Sequence, residues 1–256
     1  MFPEELSAFL QTLKIDISKK IKLREVVAEP KQQISTDDFG ADIQLWEDVW
    51  NTKREIVESR LRSIAGQSQK IPARLCKVRR IDQAILDSFL VANHLQGSTK
   101  AKFKYGLFLP IQYFRVLDFI PEADIREILF AVASFSGAKS IYRNEQIYRS
   151  HELIRFANRV DFTVIGGLGK LLKVFDNEQK PDDIMTYADR DWSNGESYRK
   201  LGFELVDTTK PESFWVNKDT FERINRTKFE PNNNDWVLIQ NSGNLKFLKI
   251  ILPSLS

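Results

Sequence analysis

Apolar residues recur along this chain at two spacings, one helical and one alternating, and the change between them outlines its elements. Leu6, Phe9, Leu10 and Leu13 stand at helical spacing and predict a short amphipathic helix over residues 3–14. Residues 15–40, with Pro30 and Gly40, read as an irregular connector. From 42 to 64, Ile43, Trp46, Trp50, Val57, Leu61 and Ile64 recur at steps of 3, 4, 7, 4 and 3, one stripe along a helix of about six turns that Gly66 ends. A stripe with two tryptophans packs on the protein's own core by default; a partner helix is the alternative.

After Pro72 the period shortens. Arg74 to Ile81 alternates as a strand, and Asp82 is a helix cap for the segment in which Ile85, Phe89 and Ala92, and Leu86 and Leu90, stand at helical spacing. Gly97 follows as a C′ residue. Phe103–Leu109 reads as a strand that Pro110 breaks, 111–120 as an extra strand or a loop, and 125–135 as a buried central strand. Gly137–Ser150 is polar and basic, hence a loop, and His151, on the surface, heads a strand to Asn158. Val164-Ile165-Gly166-Gly167-Leu168-Gly169-Lys170 then leads into a helix with Leu168, Leu171, Leu172 and Phe175 on one face.

The densest stretch runs from 183 to 203. Ile184–Ala188 is a short strand ending in Asp189-Arg190-Asp191. Trp192-Ser193-Asn194-Gly195 is a turn with capping side chains, Glu196–Leu201 a short helix stopped by Gly202, and Phe203–Asp207 a further strand. A strand that ends in a polar cluster beside a helix N-terminus is where α/β proteins place their chemistry, because unpaired N–H groups and the helix dipole converge there. Beyond it, Phe214–Val216 is a strand and Asp219–Thr227 a charged helix. Trp236–Gln240 and Leu245–Leu252, around Asn241-Ser242-Gly243-Asn244, form a β-hairpin.

Composition sets bounds. With 42% hydrophobic and 29% charged residues the chain is a soluble globular protein rather than a disordered one. A net charge of +3 is too balanced for a dedicated nucleic-acid binder. Lys70–Lys104 is locally basic, with eight cations (Lys70, Arg74, Lys77, Arg79, Arg80, Lys100, Lys102, Lys104) against Asp82 and Asp87, a balance of +6. Such a stretch holds an anionic ligand or a nucleic-acid backbone, or is simply a solvated rim. The single cysteine, Cys76, excludes an internal disulfide and fits a reducing compartment. Its apolar surroundings favour a buried thiol over a nucleophile. One Cys and two His do not make a zinc-type cluster, so no metal is expected. No apolar run approaches the roughly 20 residues that cross a bilayer. The N-terminus, MFPEELSAFL, is acidic and lacks a signal-peptide pattern. The expectation is a soluble cytoplasmic protein, or an organellar one whose leader has been trimmed.

Three glycines before a helix let a phosphate approach backbone N–H groups, or let a strand and helix pack closely. Neither the dinucleotide nor the Walker pattern is met. The order strand, helix, strands, glycine turn, helix, strand, and short helix ending in Tyr198-x-x-Leu201-Gly202-Phe203 resembles the GNAT family of acyl-CoA N-acyltransferases. The resemblance implies an α/β (α+β) fold, a GNAT-like mixed central sheet flanked by helices over residues 73–217. A helical extension (1–72) would precede it, and a helix and β-hairpin (218–256) would follow. It also implies acetyl-CoA or another acyl-CoA as cofactor, held by Gly166, Gly167, Leu168, Gly169, Lys170 and Asn194, with an amine attacking the thioester directly. Tyr198 would protonate the departing thiolate, Asp189 would take the amine proton, and His94 would line the acceptor side. Structural roles stand beside these: Tyr198 as a core aromatic, Asp189 paired with Arg190 or capping the turn, and His94 held protonated by its helix end. Arg155, on a buried-type strand, needs Asp189 or a ligand anion as partner. Trp192 stacks on a base or packs internally. Val164 stands where the family carries Arg or Gln.

A second set of motifs is similar to a domain of phage proteins labelled as homing endonucleases, over roughly residues 73–216. It comprises Arg74-Leu75-Cys76, Asn93-His94-Leu95-Gln96-Gly97, Tyr105-Gly106-Leu107, Glu152–Phe156, Gly166-Gly167 with Lys170-Leu171, and Thr186–Arg190 with Trp192-Ser193 and Gly195. No HNH, GIY-YIG or paired-acid nuclease motif accompanies them, so this resemblance implies association with nucleic acid without cleavage, through Arg74, Lys77, Arg79, Arg80, Lys100, Lys102 and Lys104. Three readings stand at this point: an acyl-CoA N-acyltransferase, a non-catalytic nucleic-acid-binding module, and a non-catalytic relative kept for contacts through the Trp46/Trp50 stripe.

Overall fold

The alternating segments pair into one large sheet, and the helical stripes bury themselves against it. The computed structural model describes residues 2–26, 43–143 and 145–251; most of the expected connector, from 27 on, lies outside them. In chain order the elements begin with α1 (Phe2–Gln11), β1 (Ile21–Arg24), β2 (Ile43–Trp46), α2 (Glu47–Thr52), α3 (Arg54–Ile64) and β3 (Gln69–Pro72). Then follow β4 (Lys77–Arg80), α4 (Gln83–Asn93), β5 (Phe103–Pro110), β6 (Glu127–Phe135), β7 (Lys139–Arg143), β8 (Gln146–Asn158) and β9 (Phe162–Ile165). The rest are α5 (Gly167–Gln179), β10 (Asp183–Asp189), α6 (Glu196–Arg199), β11 (Glu204–Thr208), β12 (Ser213–Asn217), β13 (Arg223–Asn225), β14 (Trp236–Gln240) and β15 (Asn244–Ile250).

The main sheet runs β11-β15-β10-β8-β6-β5-β4, with β7 paired to β8. Each neighbouring pair on this path is antiparallel except β8 and β10, which are parallel. This is the mixed α/β class expected from the sequence. Consecutive residues of β6 divide between its faces: Ala131 and Ala133 meet the cluster of Leu171, Leu172 and Phe175 from α5, and Val132 meets Leu86, Phe89 and Leu90 from α4. Phe175 stacks on Phe135 with centroids 3.9 Å apart, and both are fully buried. Asp82 caps α4 as expected, accepting from the Ile85 N–H at 2.8 Å. Cys76 is buried, and desolvation pushes its thiol up to about 11.

Several elements differ from the sequence reading. The single helix over 42–64 is a strand and two helices. Its start pairs with β1 as β2, and the Asn51 and Thr52 side chains bond back to the Glu47 and Asp48 carbonyls at the break near Lys53. Both tryptophans pack internally: Trp50 is fully buried between Phe2 and Phe9, and Trp46 is buried beside Val216 and Ile239. The residues before 73 therefore hold strands as well as helices, and among them β3 pairs with β9. The basic segment 137–150 is no loop, because β7 and β8 pair there as a hairpin whose exposed faces hide the alternation. His151 is buried, not on the surface, with Nδ1 3.0 Å from the Ser136 carbonyl. Residues 111–116 form a 3₁₀ helix, and 219–227 hold a turn and β13 in place of a helix.

The expected C-terminal hairpin resolves into strands of two sheets. β14 pairs with β12, whereas β15 inserts between β10 and β11. The intervening Asn241 spends its side chain on the Glu212 and Gly243 N–H groups, and a Cβ on Gly243 would lie 2.5 Å from the Thr209 carbonyl. The connection is thus packed on residues 209–212 and does not close as a two-residue turn. The central sheet consequently draws a strand from beyond residue 217.

Candidate active site

β8 and β10 are paired only from Ser150↔Asp183 to Leu153↔Thr186, although β8 continues to Asn158 and β10 to Asp189. Two features separate them. The register of β8 against β6 shifts between Leu153 and Arg155, so Ile154 is an extra residue and the strand bends there. Meanwhile β10 stays paired with β15 as far as Asp189↔Asn244. The Thr186 hydroxyl closes the last rung, donating to the Leu153 carbonyl at 3.0 Å.

The fork opens into a cleft of about 210 Å³. One wall is Glu152, Ile154, Arg155 and Phe156 of β8, and the other is Tyr187, Ala188 and Asp189 of β10. The turn and α6 add Trp192, Ser193, Ser197 and Tyr198; the loop after α4 adds His94, Leu95 and Gln96. Arg60 of α3 and Asn244 complete it. Gly195 fixes the turn: its φ is +79°, and a Cβ there would overlap the Phe247 ring. Asp191 fixes it from the other side, accepting from Trp46 Nε1 at 3.1 Å and from the Ser242 N–H at 3.0 Å.

Tyr198, Asp189 and His94 are thus brought together. The Tyr198 ring rests against Phe203 and Phe247, and its hydroxyl meets Thr186 at the fork. Burial raises its pKa, so it is a protonated phenol at neutral pH. Asp189 is pushed up to about 6, first by burial and then by the neighbouring Asp191 charge. It also accepts the Asp191 N–H at 3.0 Å, the turn-capping role expected. His94 differs from the dipole argument: burial, with Arg155 and Arg60 adding repulsion, pushes it down to about 3. Its Nδ1 accepts the Gln96 N–H at 3.2 Å, which leaves the proton on Nε2 pointing elsewhere.

Two guanidinium groups share this cleft. Arg155 donates from Nη1 to the Ile154 carbonyl at 2.9 Å, and its buried Nε has no partner. It does not pair with Asp189. Arg60 lies over the Trp192 ring at 4.8 Å. Sequence reasoning missed Arg60, because nothing in its helix distinguishes it from the exposed charges around it.

The glycine turn is not part of the cleft lining. Gly166 is left-handed (φ +77°), and a Cβ there would make only an ordinary contact with Ala73 at 3.8 Å, whereas a Cβ on Gly167 would meet Leu107 at 3.1 Å and one on Gly169 would meet Leu201 at 3.2 Å. Lys170 donates to the Ala73 and Cys76 carbonyls at 3.0 and 2.5 Å, and Asn194 caps Glu196 at 3.1 Å. Leu168 is buried in the core. Among the basic candidates, Arg79 and Arg80 pair with Glu127 and Glu178, Lys104 donates to the Ala101 carbonyl, and Lys102 lies over Phe103. Arg74, Lys77 and Lys100 are exposed. Among the described residues no group of three or more His, Cys, Asp or Glu could hold a metal, and no helix is long and apolar enough to cross a membrane.

No family model matches the sequence, and no curated protein matches it. Solved structures similar to it include a Bacillus subtilis acetyltransferase in complex with CoA, at 13% identity over 69% of this chain and 99% of that one, with a TM-score of 0.38. A ribosomal-protein-alanine N-acetyltransferase from Escherichia coli matches at 9% identity over 71% of this chain and 98% of that one, with a TM-score of 0.38. A GNAT-family acetyltransferase from Bacillus anthracis matches at 15% identity over 68% and 93%, with a TM-score of 0.34.

Proposed function

We propose that the cleft between β8 and β10 transfers an acyl group from an acyl-coenzyme A to an amine. The observation that carries this reading is the parting of two parallel strands immediately beyond Leu153 and Thr186, with the Tyr198 hydroxyl at the fork. A volume near 210 Å³ is below the roughly 300–1,000 Å³ of whole small-molecule sites, so the cleft suits the reacting end of a ligand. The unpaired ladder edges of the two strands suit the amides of an extended pantetheine arm, which bond as an added strand would. Gly166 and the first N–H groups of α5, which have no carbonyl within the helix, suit its phosphates.

In this reading the amine nitrogen bonds to the thioester carbonyl carbon and the carbon–sulfur bond breaks. Asp189, ionised above about 6, takes the proton the amine loses. Tyr198 gives a proton to the departing sulfur, and the two side chains recover their starting states by exchange with solvent. The products balance as amide and free thiol. His94, neutral, donates from Nε2 to the acceptor side. Leu95, Phe156 and Trp192 limit water.

Acetyl-CoA titration into the purified chain, followed by thiol release with an amine panel, tests this. Micromolar binding is expected, lost in Ser197→Trp, which fills the mouth from an exposed position. Absence of coenzyme binding, with salt-dependent binding of a DNA or RNA duplex instead, would overturn it.

A further inference from the structure

Six other arginines each meet a carboxylate: Arg54, Arg62, Arg79, Arg80, Arg143 and Arg223. Arg60 and Arg155 are half-buried in the cleft, and among the described residues neither has a carboxylate within ion-pair distance. A half-buried guanidinium with an unpartnered, buried Nε is costly unless something supplies an acceptor. The carboxylates lining the cleft, Glu152 and Asp189, act on Arg155 and Arg60 only at longer range. Trp192 holds the Arg60 plane by stacking, and the Ile154 carbonyl holds one arm of Arg155. Both forks are therefore oriented before any ligand arrives. Planar guanidinium forks match oxyanions in two-point geometry.

We propose that Arg60 and Arg155 form an oxyanion-recognition subsite, so that the amine accepted here also carries a carboxylate or a phosphate. The proposal rests on the acyltransfer reading for the word acceptor, but the subsite itself does not. Arg60 comes from α3, outside the central sheet, and Arg155 from the bent end of β8, so the anion is bound where the extension closes over the strand fork. His94 lines the same cleft, where burial first and then the two cations keep it neutral, so it adds no positive charge beside an anion.

The test compares acids with their neutral isosteres on the intact protein: glutamate against glutamine, and O-phosphoethanolamine against ethanolamine. Direct binding by calorimetry, without coenzyme, should favour the charged member of at least one pair by roughly tenfold or more, the ratio lost with one charge-assisted hydrogen bond. The preferred pair identifies the anion. With acetyl-CoA present, the same preference should appear in kcat/KM through KM. Arg155→Gln and Arg60→Gln should erase the preference while leaving acetyl-CoA affinity unchanged, and Arg155→Lys should restore part of it. Equal binding of both pairs by the wild-type protein overturns the subsite, as does a loss of coenzyme affinity in the variants without a change in preference. Selective anion binding with no acyl transfer would retain the subsite and remove the enzymatic reading.

Discussion

Asp189→Asn separates function from stability in a way that can be worked from the geometry. The carboxyl titrates at 3.8 as an ordinary aspartate and at about 6 in the fold, where it is buried and next to Asp191. A raised carboxyl pKa means the folded state binds more protons than the unfolded one between those values. Stability is therefore fully present below about pH 4 and is lost as pH rises through 6. At roughly 1.4 kcal/mol per pH unit the window costs the fold on the order of 3 kcal/mol. Asparagine keeps an oxygen for the Asp191 N–H but cannot ionise. It also removes the nearby charge that favours ionised Arg60, which offsets part of the gain. The expected result is a variant about 1–3 kcal/mol more stable than wild type at pH 7.5, and equal to it at pH 4, in urea unfolding. The same variant should lose acyl transfer, and wild-type kcat/KM should rise with pH through about 6. A destabilised variant at pH 7.5 would refute the burial argument. A pH-independent rate from 5 to 8 would refute Asp189 as the base.

Three further perturbations probe separate parts of the construction. Tyr198→Phe keeps the ring contacts with Phe203 and Phe247 and removes the proton donor, so kcat should fall by about 10²-fold with acetyl-CoA affinity retained; stopped-flow thiol detection reads both. Gly195→Ala forces a Cβ into the Phe247 ring at a positive φ, and thermal unfolding should show a loss of at least about 2 kcal/mol. Asp48→Ala strips Arg223 of both its bonds, at 2.6 and 2.7 Å, and should cost roughly 3–5 kcal/mol, because the guanidinium is left among the Trp46 and Phe214 rings without a counter-charge.

What the sequence made legible follows from how locally each feature is encoded. The stripe Leu168, Leu171, Leu172 and Phe175 and the run from Ile128 to Ala133 announce their elements, because burial on a helix face or in a central strand leaves a periodic trace. The strand–turn–helix order around Asp189 and Tyr198 was readable for the same reason, whereas His94 was expected beside them only through the family resemblance; the fold brings all three to one cleft. Pairing partners leave no such trace. Gln44 and Leu45 look helical beside Trp46 and Trp50, yet the available strand edge of β1 takes them. Leu245–Ile250 looks like half of a hairpin, but the gap between β10 and β11 is the stronger competitor, since it satisfies both edges of the strand at once. Gly167 and Gly169 show why a glycine turn is ambiguous: here the missing side chains make room for Leu107 and Leu201. Charge was legible only as a sum, and the sum concealed that Arg79 and Arg80 are paired within the chain while Arg60, unremarkable in sequence, reaches the cleft.

The placement of Arg60 bears on what the first 72 residues are for. They carry a hydrophobic cluster of their own, with Phe2, Leu6, Phe9, Trp50, Val57 and Leu61. Yet Leu95 and Trp192, which line the cleft, pack against that same core, and the Gln44 N–H and Trp46 indole both bond Asp191 in the turn that carries Trp192. A unit that served only stability would need no contact with the end of β10. Instead the Gln44 and Trp46 bonds hold the turn that leads from Asp189 to Tyr198, and α3 supplies a cation to the cleft. The central sheet makes the fork, and the segment before it lines one side of the cleft with Arg60.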